Sequence, residues 1–126
     1  MEKTPLFSIP LPSTAIVQGP DYHYQGGNLT LTFTADDEGR RRTSELHFLN
    51  VRASRHRAEG CCRRWHVADV YDTLAEVSAS DWVAELREAT RPEWRDRWVM
   101  RHFMIYLDSF GCLEVVAQSA DLGQPD

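Results

Sequence analysis

A chain of 126 residues is the size of one ordinary domain and can bury enough apolar surface to fold without disulfides or metals. Its 42% hydrophobic and 26% charged residues are close to the globular average, which argues against a disordered chain. Apolar stretches are interrupted within about ten residues, whereas a membrane-spanning helix needs about twenty, so no membrane association is expected. We predict one domain over residues 1–126, with frayed ends at about 1–12 and 122–126.

Cysteine usage indicates a reducing compartment. The chain has three cysteines, which cannot all pair, and Cys61 and Cys62 are adjacent, where a disulfide would be strained. Prolines near the N-terminus interrupt the apolar core that a signal peptide needs. We therefore predict a cytoplasmic protein with free thiols.

The first half of the chain predicts three strands. Residues 13–18 form a short strand, which residues 19–21 (Gly-Pro-Asp) should end. Residues 29–35 alternate apolar side chains with threonine, which is typical of a strand with one buried face. Residues 36–42 are predicted as a polar loop, and residues 45–53 as a third strand with apolar side chains on both faces.

The middle of the chain has weaker patterns. Residues 54–66 are dense in charge without a clear period and are predicted as a loop or irregular edge. Residues 67–77 fit a helical stripe better than a strand face, but their residue types favour strands, and both interpretations stay open. Ser80 suits the N-cap of a helix that ends near residue 89. Residues 90–93 match a capping box with an early proline, which predicts a second short helix.

The last predicted element is a β-hairpin of residues 101–107 and 112–118 around a turn at 108–111. An aspartate at the first and a glycine at the fourth turn position suit a type I turn followed by a glycine bulge. In that register one face of the hairpin is wholly apolar and belongs to the core. Its facing pairs are Leu107 with Leu113, Ile105 with Val115 and Phe103 with Ala117.

Strands and helices are segregated along the chain rather than alternating. This order predicts an α+β fold, namely an antiparallel sheet of about five strands with one or two helices packed on one face.

The other face of the predicted hairpin carries residue types of acid–base chemistry. The register places the phenol of Tyr106 opposite the carboxylate of Glu114, with Cβ atoms about 5 Å apart. With the imidazole of His102 these groups could exchange protons with a small ligand. Cys112 could act as a nucleophile if a neighbouring base lowered the pKa of its thiol. The simpler alternative is a half-exposed sheet face with a Tyr–Glu hydrogen bond, or a face covered by a helix.

Zinc ligands are also present in the sequence, because His56, Cys61, Cys62 and His66 lie close together along the chain. Their spacing argues against a site, since adjacent cysteines tend to point apart and no second pair completes four ligands. We therefore expect no metal and no cofactor.

Charge is distributed unevenly, although the net charge is only −5. Residues 40–64 hold eight arginines against two acids, whereas residues 67–126 hold twelve acids against five arginines. Such a distribution indicates an anionic partner, unless the two halves attract each other within the fold. The negative net charge and the lack of a recognised motif disfavour nucleic acid, so an acidic protein surface is the favoured partner. The candidate partner-binding residues are Arg40, Arg41, Arg42, Arg55, Arg57, Arg63 and Arg64.

Three segments, residues 71–77, 80–86 and 102–117, resemble small uncharacterised bacterial proteins of accessory or immunity-like type. The resemblance covers roughly the second half of the chain. Proteins of that sort often bind another protein and have no assigned catalytic residues, so the resemblance implies a binding role and transfers no site.

Common catalytic signatures are missing from the sequence: it has no phosphate-binding loop, dinucleotide-binding glycine motif, nucleophile elbow or zinc-protease helix. We predict a non-catalytic protein-binding domain of immunity-like or adaptor type, although these patterns do not decide whether the protein is an enzyme. The alternative is a small enzyme or biosynthetic accessory protein that binds a small ligand over the C-terminal hairpin face. Another protein is the expected partner, and a homodimer is an alternative assembly.

Overall fold

The computed structural model describes residues 1–123, and in that part of the chain nine strands and three short α-helices form an α+β fold. The strands are β1 (Glu2–Ser8), β2 (Ile16–Gln25), β3 (Asn28–Asp37), β4 (Arg40–Leu49), β5 (Ala53–Arg57), β6 (Thr73–Ser78), β7 (Arg101–Leu107), β8 (Gly111–Ala117) and β9 (Ser119–Gly123). The helices are α1 (Arg64–Val67), α2 (Asp81–Ala89) and α3 (Pro92–Arg95), with 3₁₀ turns at Ser13–Ala15 and Glu59–Cys61.

The strands form two antiparallel sheets rather than the one predicted. The five-stranded sheet has the order β1-β6-β7-β8-β5, and the four-stranded sheet has the order β2-β3-β4-β9. The sheets pack face to face over one core, where the rings of Phe48 and Phe103 lie 6.1 Å apart. The fold therefore contains more sheet than the sequence predicted, because segments without apolar periodicity also pair as strands.

The opposite face of the five-stranded sheet is covered by the helical layer. Helices α1 and α2 both contact β7. A second buried cluster of Val70, Ala75, Val77, Met104, Tyr106 and Cys112 fills the space below them. Strands β7 and β8 are therefore buried on both faces, which fits a central position in a layered fold.

Strand β3 is the clearest confirmation of the sequence analysis. Its apolar side chains, from Leu29 to Ala35, are buried, while the threonines between them are only partly buried. On the outer face the hydroxyls of Thr34 and Thr43 lie 2.9 Å apart across the strand pair. The two-residue period therefore sets which face enters the core.

Two predicted boundaries in this sheet are wrong. Strand β2 continues through residues 19–21 to Gln25, with register shifts around Gln18 that accommodate the glycine and proline. Residues 40–42 belong to β4 instead of a loop, because the pairing of Asp36 with Arg41 and of Asp37 with Arg40 brings opposite charges together across the hairpin.

The N-terminal segment forms a paired strand, whereas the sequence predicted a frayed end. Residues 2–8 form β1, which pairs with β6 at the edge of the five-stranded sheet. Pro5 is compatible with this position because an edge strand needs hydrogen-bond donors on one side only. At the other end Leu122 and Gly123 of β9 pair with β4. Residues 124–126 of the predicted frayed end lie outside the described residues.

The segment 54–77 also differs from the prediction. Residues 54–66, predicted as a loop or irregular edge, contain most of the edge strand β5 and the start of α1, and residues 67–77 end as strand β6. Both elements are short, and all of β5 except Ala53 is exposed, so neither produces a long apolar period. Of the two interpretations of 67–77, the strand is correct for residues 73–77, while α1 already ends at Val67.

Helix α2 begins as predicted, because the Ser80 hydroxyl accepts a hydrogen bond from the Val83 N–H at 3.1 Å. The predicted capping box before α3 is wrong. The N-cap of α3 is Arg91, and the Thr90 hydroxyl instead donates to the carbonyl oxygen of Leu86 at 2.7 Å.

The C-terminal hairpin forms with the predicted faces but in a different register. Its facing pairs are Phe103 with Val115, Ile105 with Leu113 and Leu107 with Gly111. The register is shifted by two residues because the turn closes over residues 108–110, so that Gly111 already pairs in β8. A shift of two leaves every side chain on its original face, which explains why the core prediction is correct while the pairing is wrong.

No helix in the described residues is long and apolar enough to span a membrane.

Candidate functional site

Four polar side chains under the helical layer form a continuous hydrogen-bonded chain. His102 of β7 and Glu114 of β8 are diagonal neighbours, and the Nε2 atom of His102 lies 2.8 Å from a carboxylate oxygen of Glu114. The Nδ1 atom of His102 lies 2.7 Å from the Ser80 hydroxyl. Arg55 of β5 donates to both oxygens of Glu114, at 2.9 and 3.2 Å. We call Arg55, Ser80, His102 and Glu114 the His–Glu network.

The electrostatics of the network fix Glu114 as a carboxylate. Burial alone would raise the pKa of Glu114, but the hydrogen bonds from His102 and Arg55 and their charge lower it to about 2. With Nε2 directed at this carboxylate, the Nδ1 atom of His102 faces the Ser80 hydroxyl. The side chains of His102 and Glu114 are 2% and 6% exposed, so the pair is almost completely removed from water.

Trp82 joins the network to the surface. The guanidinium of Arg55 lies 3.9 Å from the centre of its ring, and the ring meets His102 edge-on at 5.2 Å. Arg55 is therefore held by a carboxylate and an aromatic face at the same time. A shallow hollow of about 210 Å³ opens beside them, lined by Met1, Arg55, Trp65, Asp81, Trp82, Glu85 and His102.

The structure does not group all the catalytic candidates. Tyr106 faces Cys112 rather than Glu114, which corrects the predicted pairing, and its ring packs against that of Tyr71 at 5.5 Å. Burial raises the pKa of Tyr106 and of Cys112 to about 12. Both groups therefore stay protonated at neutral pH, which opposes a nucleophilic role for the thiol. Of the four catalytic candidates, His102, Tyr106, Cys112 and Glu114, the structure joins only His102 and Glu114 by a hydrogen bond among residues 1–123.

Comparison with known proteins gives no match, whether with protein-family models, curated proteins or solved structures.

The arginines divide into two groups. Arg55 and Arg57 lie on β5, and Arg63 and Arg64 lie at the start of α1, so these four come from adjacent elements. Lys3 of β1 joins them, because its amine donates to the carbonyl oxygens of Trp65 and Ala68. We call Lys3, Arg55, Arg57, Arg63 and Arg64 the basic surface.

Proximity within the basic surface is visible in the electrostatics of a buried histidine. Burial lowers the pKa of His66, and the charges of Arg57, Lys3 and Arg55 lower it further against an opposing contribution from Glu114. Arg57, Arg63 and Arg64 are exposed and make no ion pair within residues 1–123. The nearest acid in sequence, Glu59, accepts the Ser109 N–H at 2.6 Å instead. These three arginines therefore add positive charge to the basic surface that no ion pair within residues 1–123 compensates.

The other three candidate arginines lie on the four-stranded sheet. Arg40, Arg41 and Arg42 begin β4, and Arg42 forms an ion pair with Asp37 at 3.3 Å. They border a separate hollow of about 330 Å³ with Pro10, Leu11, Thr43 and Ser44. The predicted arginine cluster is thus two surfaces on different sheets.

The metal-ligand candidates do not converge. His56 contacts the carbonyl oxygen of Phe110 at 2.7 Å, and the Nδ1 atom of His66 accepts the Arg63 N–H at 2.9 Å. Cys62 donates to backbone carbonyl oxygens, while Cys61 is exposed. Within residues 1–123 no group of three or more histidine, cysteine, aspartate or glutamate side chains is arranged to hold a metal ion.

Sequence reasoning missed Ser80 and Trp82 as parts of the site. Ser80 carried a signal only as an N-cap, and its hydrogen bond to His102 depends on how α2 packs against β7. All four tryptophans have a cation over the ring: Trp65 has Lys3, Trp82 has Arg55, Trp94 has Arg91 and Trp98 has Arg52. The abundance of arginine and tryptophan was the available signal for these pairs.

Proposed function

We propose that this chain is a non-catalytic protein-binding domain, of immunity-like or adaptor type, that holds an acidic partner on its basic surface. The observation that carries the proposal is that Arg57, Arg63 and Arg64 are exposed and make no ion pair within the described residues. Exposed positive charge of this kind steers an acidic partner and rejects a basic one. Trp65, which is 37% exposed beside these arginines, supplies the aromatic side chain that binding hot spots favour.

Charge reversal tests the proposal. A variant with Arg57→Glu, Arg63→Glu and Arg64→Glu should bind a fluorescent poly-glutamate peptide at least about tenfold more weakly than the wild type, because it replaces attraction by repulsion at exposed side chains. The measurement is fluorescence anisotropy at about 50 mM salt, where screening is weak.

The control is Arg40→Glu with Arg41→Glu, which reverses exposed arginines on the other sheet. It should keep most of the affinity of the wild type. Equal losses in both variants, or no binding by the wild type, would contradict the proposal. A single-stranded oligonucleotide of the same length serves as a competitor, and preference for it over the peptide would favour a nucleic-acid partner.

A second candidate is a small enzyme or ligand-binding protein, and the His–Glu network is the observation that favours it. The order hydroxyl, imidazole and carboxylate is that of an activated serine nucleophile. The 210 Å³ hollow gives a ligand access to His102, whereas the hairpin face itself is buried. The hydroxyl of Ser80 also caps α2, which supports a purely structural role for the network and opposes this second candidate.

A fluorophosphonate probe separates the two candidates. The leading proposal expects no covalent adduct on Ser80 after incubation, as judged by intact mass spectrometry and peptide mapping. An adduct that disappears in Ser80→Asp, which retains an N-capping oxygen but no nucleophilic hydroxyl, would establish the second candidate instead.

A further inference from the structure

The edge of the five-stranded sheet at β5 is open. β5 pairs with β8 on one side, and within residues 1–123 no strand pairs with its other side. Its residues from Ser54 to Arg57 are all exposed. An edge strand of this kind presents unpaired backbone groups to any segment that can lie beside it.

The other sheet edges are less suited to an acidic partner strand, and β9 carries Asp121 and no basic side chain. β1 contains Pro5, which lacks a backbone donor. β2 changes register on both sides of Gln18, so its edge is irregular over that stretch. β5 keeps a continuous register with β8 over all five residues. It is therefore the more regular template.

Charge determines which segment can occupy this edge. Arg55 and Arg57 project to the same face because side chains two residues apart share a face of a strand. They line a surface hollow of about 400 Å³ together with His56, Ala58, Cys61 and Glu114. Arg55 is held by Glu114, whereas within residues 1–123 the Arg57 side chain donates to the carbonyl oxygen of Cys61 alone, at 3.1 Å, and has further donors.

Self-association along this edge is disfavoured by the same charges. A second copy of β5 would place arginines against arginines, and like charges opposite each other destabilise a strand pair. Arginines on an edge can serve solely to prevent pairing, as in many natural sheets. They do not repel a strand with carboxylates at alternate positions, and the hollow gives those carboxylates space beside Arg57.

We propose that the acidic partner binds as an extended segment that adds a strand to β5, with carboxylates at alternate positions directed at Arg57 and the adjacent basic surface. This inference rests on the proposed protein-binding function and specifies its geometry. Main-chain hydrogen bonds to residues 53–57 contribute affinity, and the arginines contribute selectivity for acidic side chains.

Two peptides of equal charge test the strand addition. One is a seven-residue peptide that alternates glutamate with valine or threonine, and the other is the same peptide with alternate backbone nitrogens methylated on the edge that faces β5. Methylation removes the donors and blocks close approach, but it leaves the carboxylates. We expect the methylated peptide to bind at least about tenfold more weakly, and the amide hydrogens of residues 53–57 to exchange more slowly when the unmodified peptide is bound.

Equal affinity for the two peptides would overturn strand addition but leave a charge-based docking surface in place. Binding of poly-glutamate without binding of the alternating peptide would also overturn strand addition and leave charge-based docking in place. The Arg57→Glu variant should lose most of the affinity for the alternating peptide, and Arg41→Glu should keep it. A loss in Arg41→Glu as large as that in Arg57→Glu would place the peptide elsewhere and overturn the inference.

Discussion

The Gly111→Ala variant should lose about 3 kcal/mol of unfolding free energy or more, and much of it should fail to fold. Gly111 begins β8 with φ of +107°, a backbone conformation that residues with a side chain rarely adopt. A Cβ atom at this position would lie 2.1 Å from the carbonyl oxygen of Arg57 and 2.8 Å from the nitrogen of Glu59. Because both neighbours are backbone atoms, β5 would have to move away from β8.

The matched control for this variant is Gly39→Ala. Gly39 also has a positive φ, of +87°, in a hairpin turn, but a Cβ atom there would meet nothing within 4 Å. It should lose only about 1–2 kcal/mol from backbone strain. Urea unfolding followed by tryptophan fluorescence measures both variants, and losses within about 0.5 kcal/mol of each other would contradict the steric argument.

Apolar periodicity accounts for what the sequence predicted about the core. The alternation in 29–35 and the apolar face of the C-terminal hairpin belong to strands with one face in the core between the sheets, and those residues are buried. The pairing register does not follow from the same pattern. A shift by two residues preserves both faces of a strand, so the turn decides between the registers. Gly111 is compatible both with the predicted turn over 108–111 and with the observed turn over 108–110, where it begins β8.

Edge strands account for most of what the sequence missed. β1 contains Pro5 and β5 is rich in arginine, so both lack the alternation of a half-buried strand. Their pairing depends on β6 and β8, which are distant in sequence. The number of sheets, and therefore the layered architecture, follows from such non-local pairing and not from local propensity.

The candidate site was predicted in part. The sequence predicts His102 and Glu114 together as acid–base candidates and Arg55 separately as a partner-binding residue, and the structure joins all three in one network. The seven candidate arginines form one stretch in the sequence, whereas strand pairing separates Arg40, Arg41 and Arg42 from the rest. Sequence proximity is a poor guide to surface clustering where a chain turns into a different sheet.

Replacing Glu114 by glutamine should remove about 3 kcal/mol of stability at neutral pH and change the acid limb of the stability curve. The folded-state pKa of Glu114 is lowered from 4.5 to about 2, so the carboxylate stabilises the folded state wherever it is ionised in both states. This contribution is fully present above about pH 4.5 and is lost as the pH falls towards 2. The difference in unfolding free energy between wild type and Glu114→Gln should shrink over that interval.

An ion pair of similar geometry provides the control. Arg101 donates to both oxygens of Glu76 at 2.7 and 3.0 Å, but these side chains are 38% and 31% exposed. Glu76→Gln should therefore cost less than about 1 kcal/mol at neutral pH.

Burial is the property that separates the two pairs, because Glu114 and His102 have almost no access to water that could replace a lost partner. In Glu114→Gln the amide nitrogen would meet donors from Arg55 or His102, which leaves hydrogen bonds unmade in a buried site. Urea titrations between pH 2.5 and 7 measure the effect. Parallel stability curves for wild type and Glu114→Gln would show that the His–Glu network does not hold Glu114 as a carboxylate, and Trp82 would then be the remaining contact that positions Arg55 on β5.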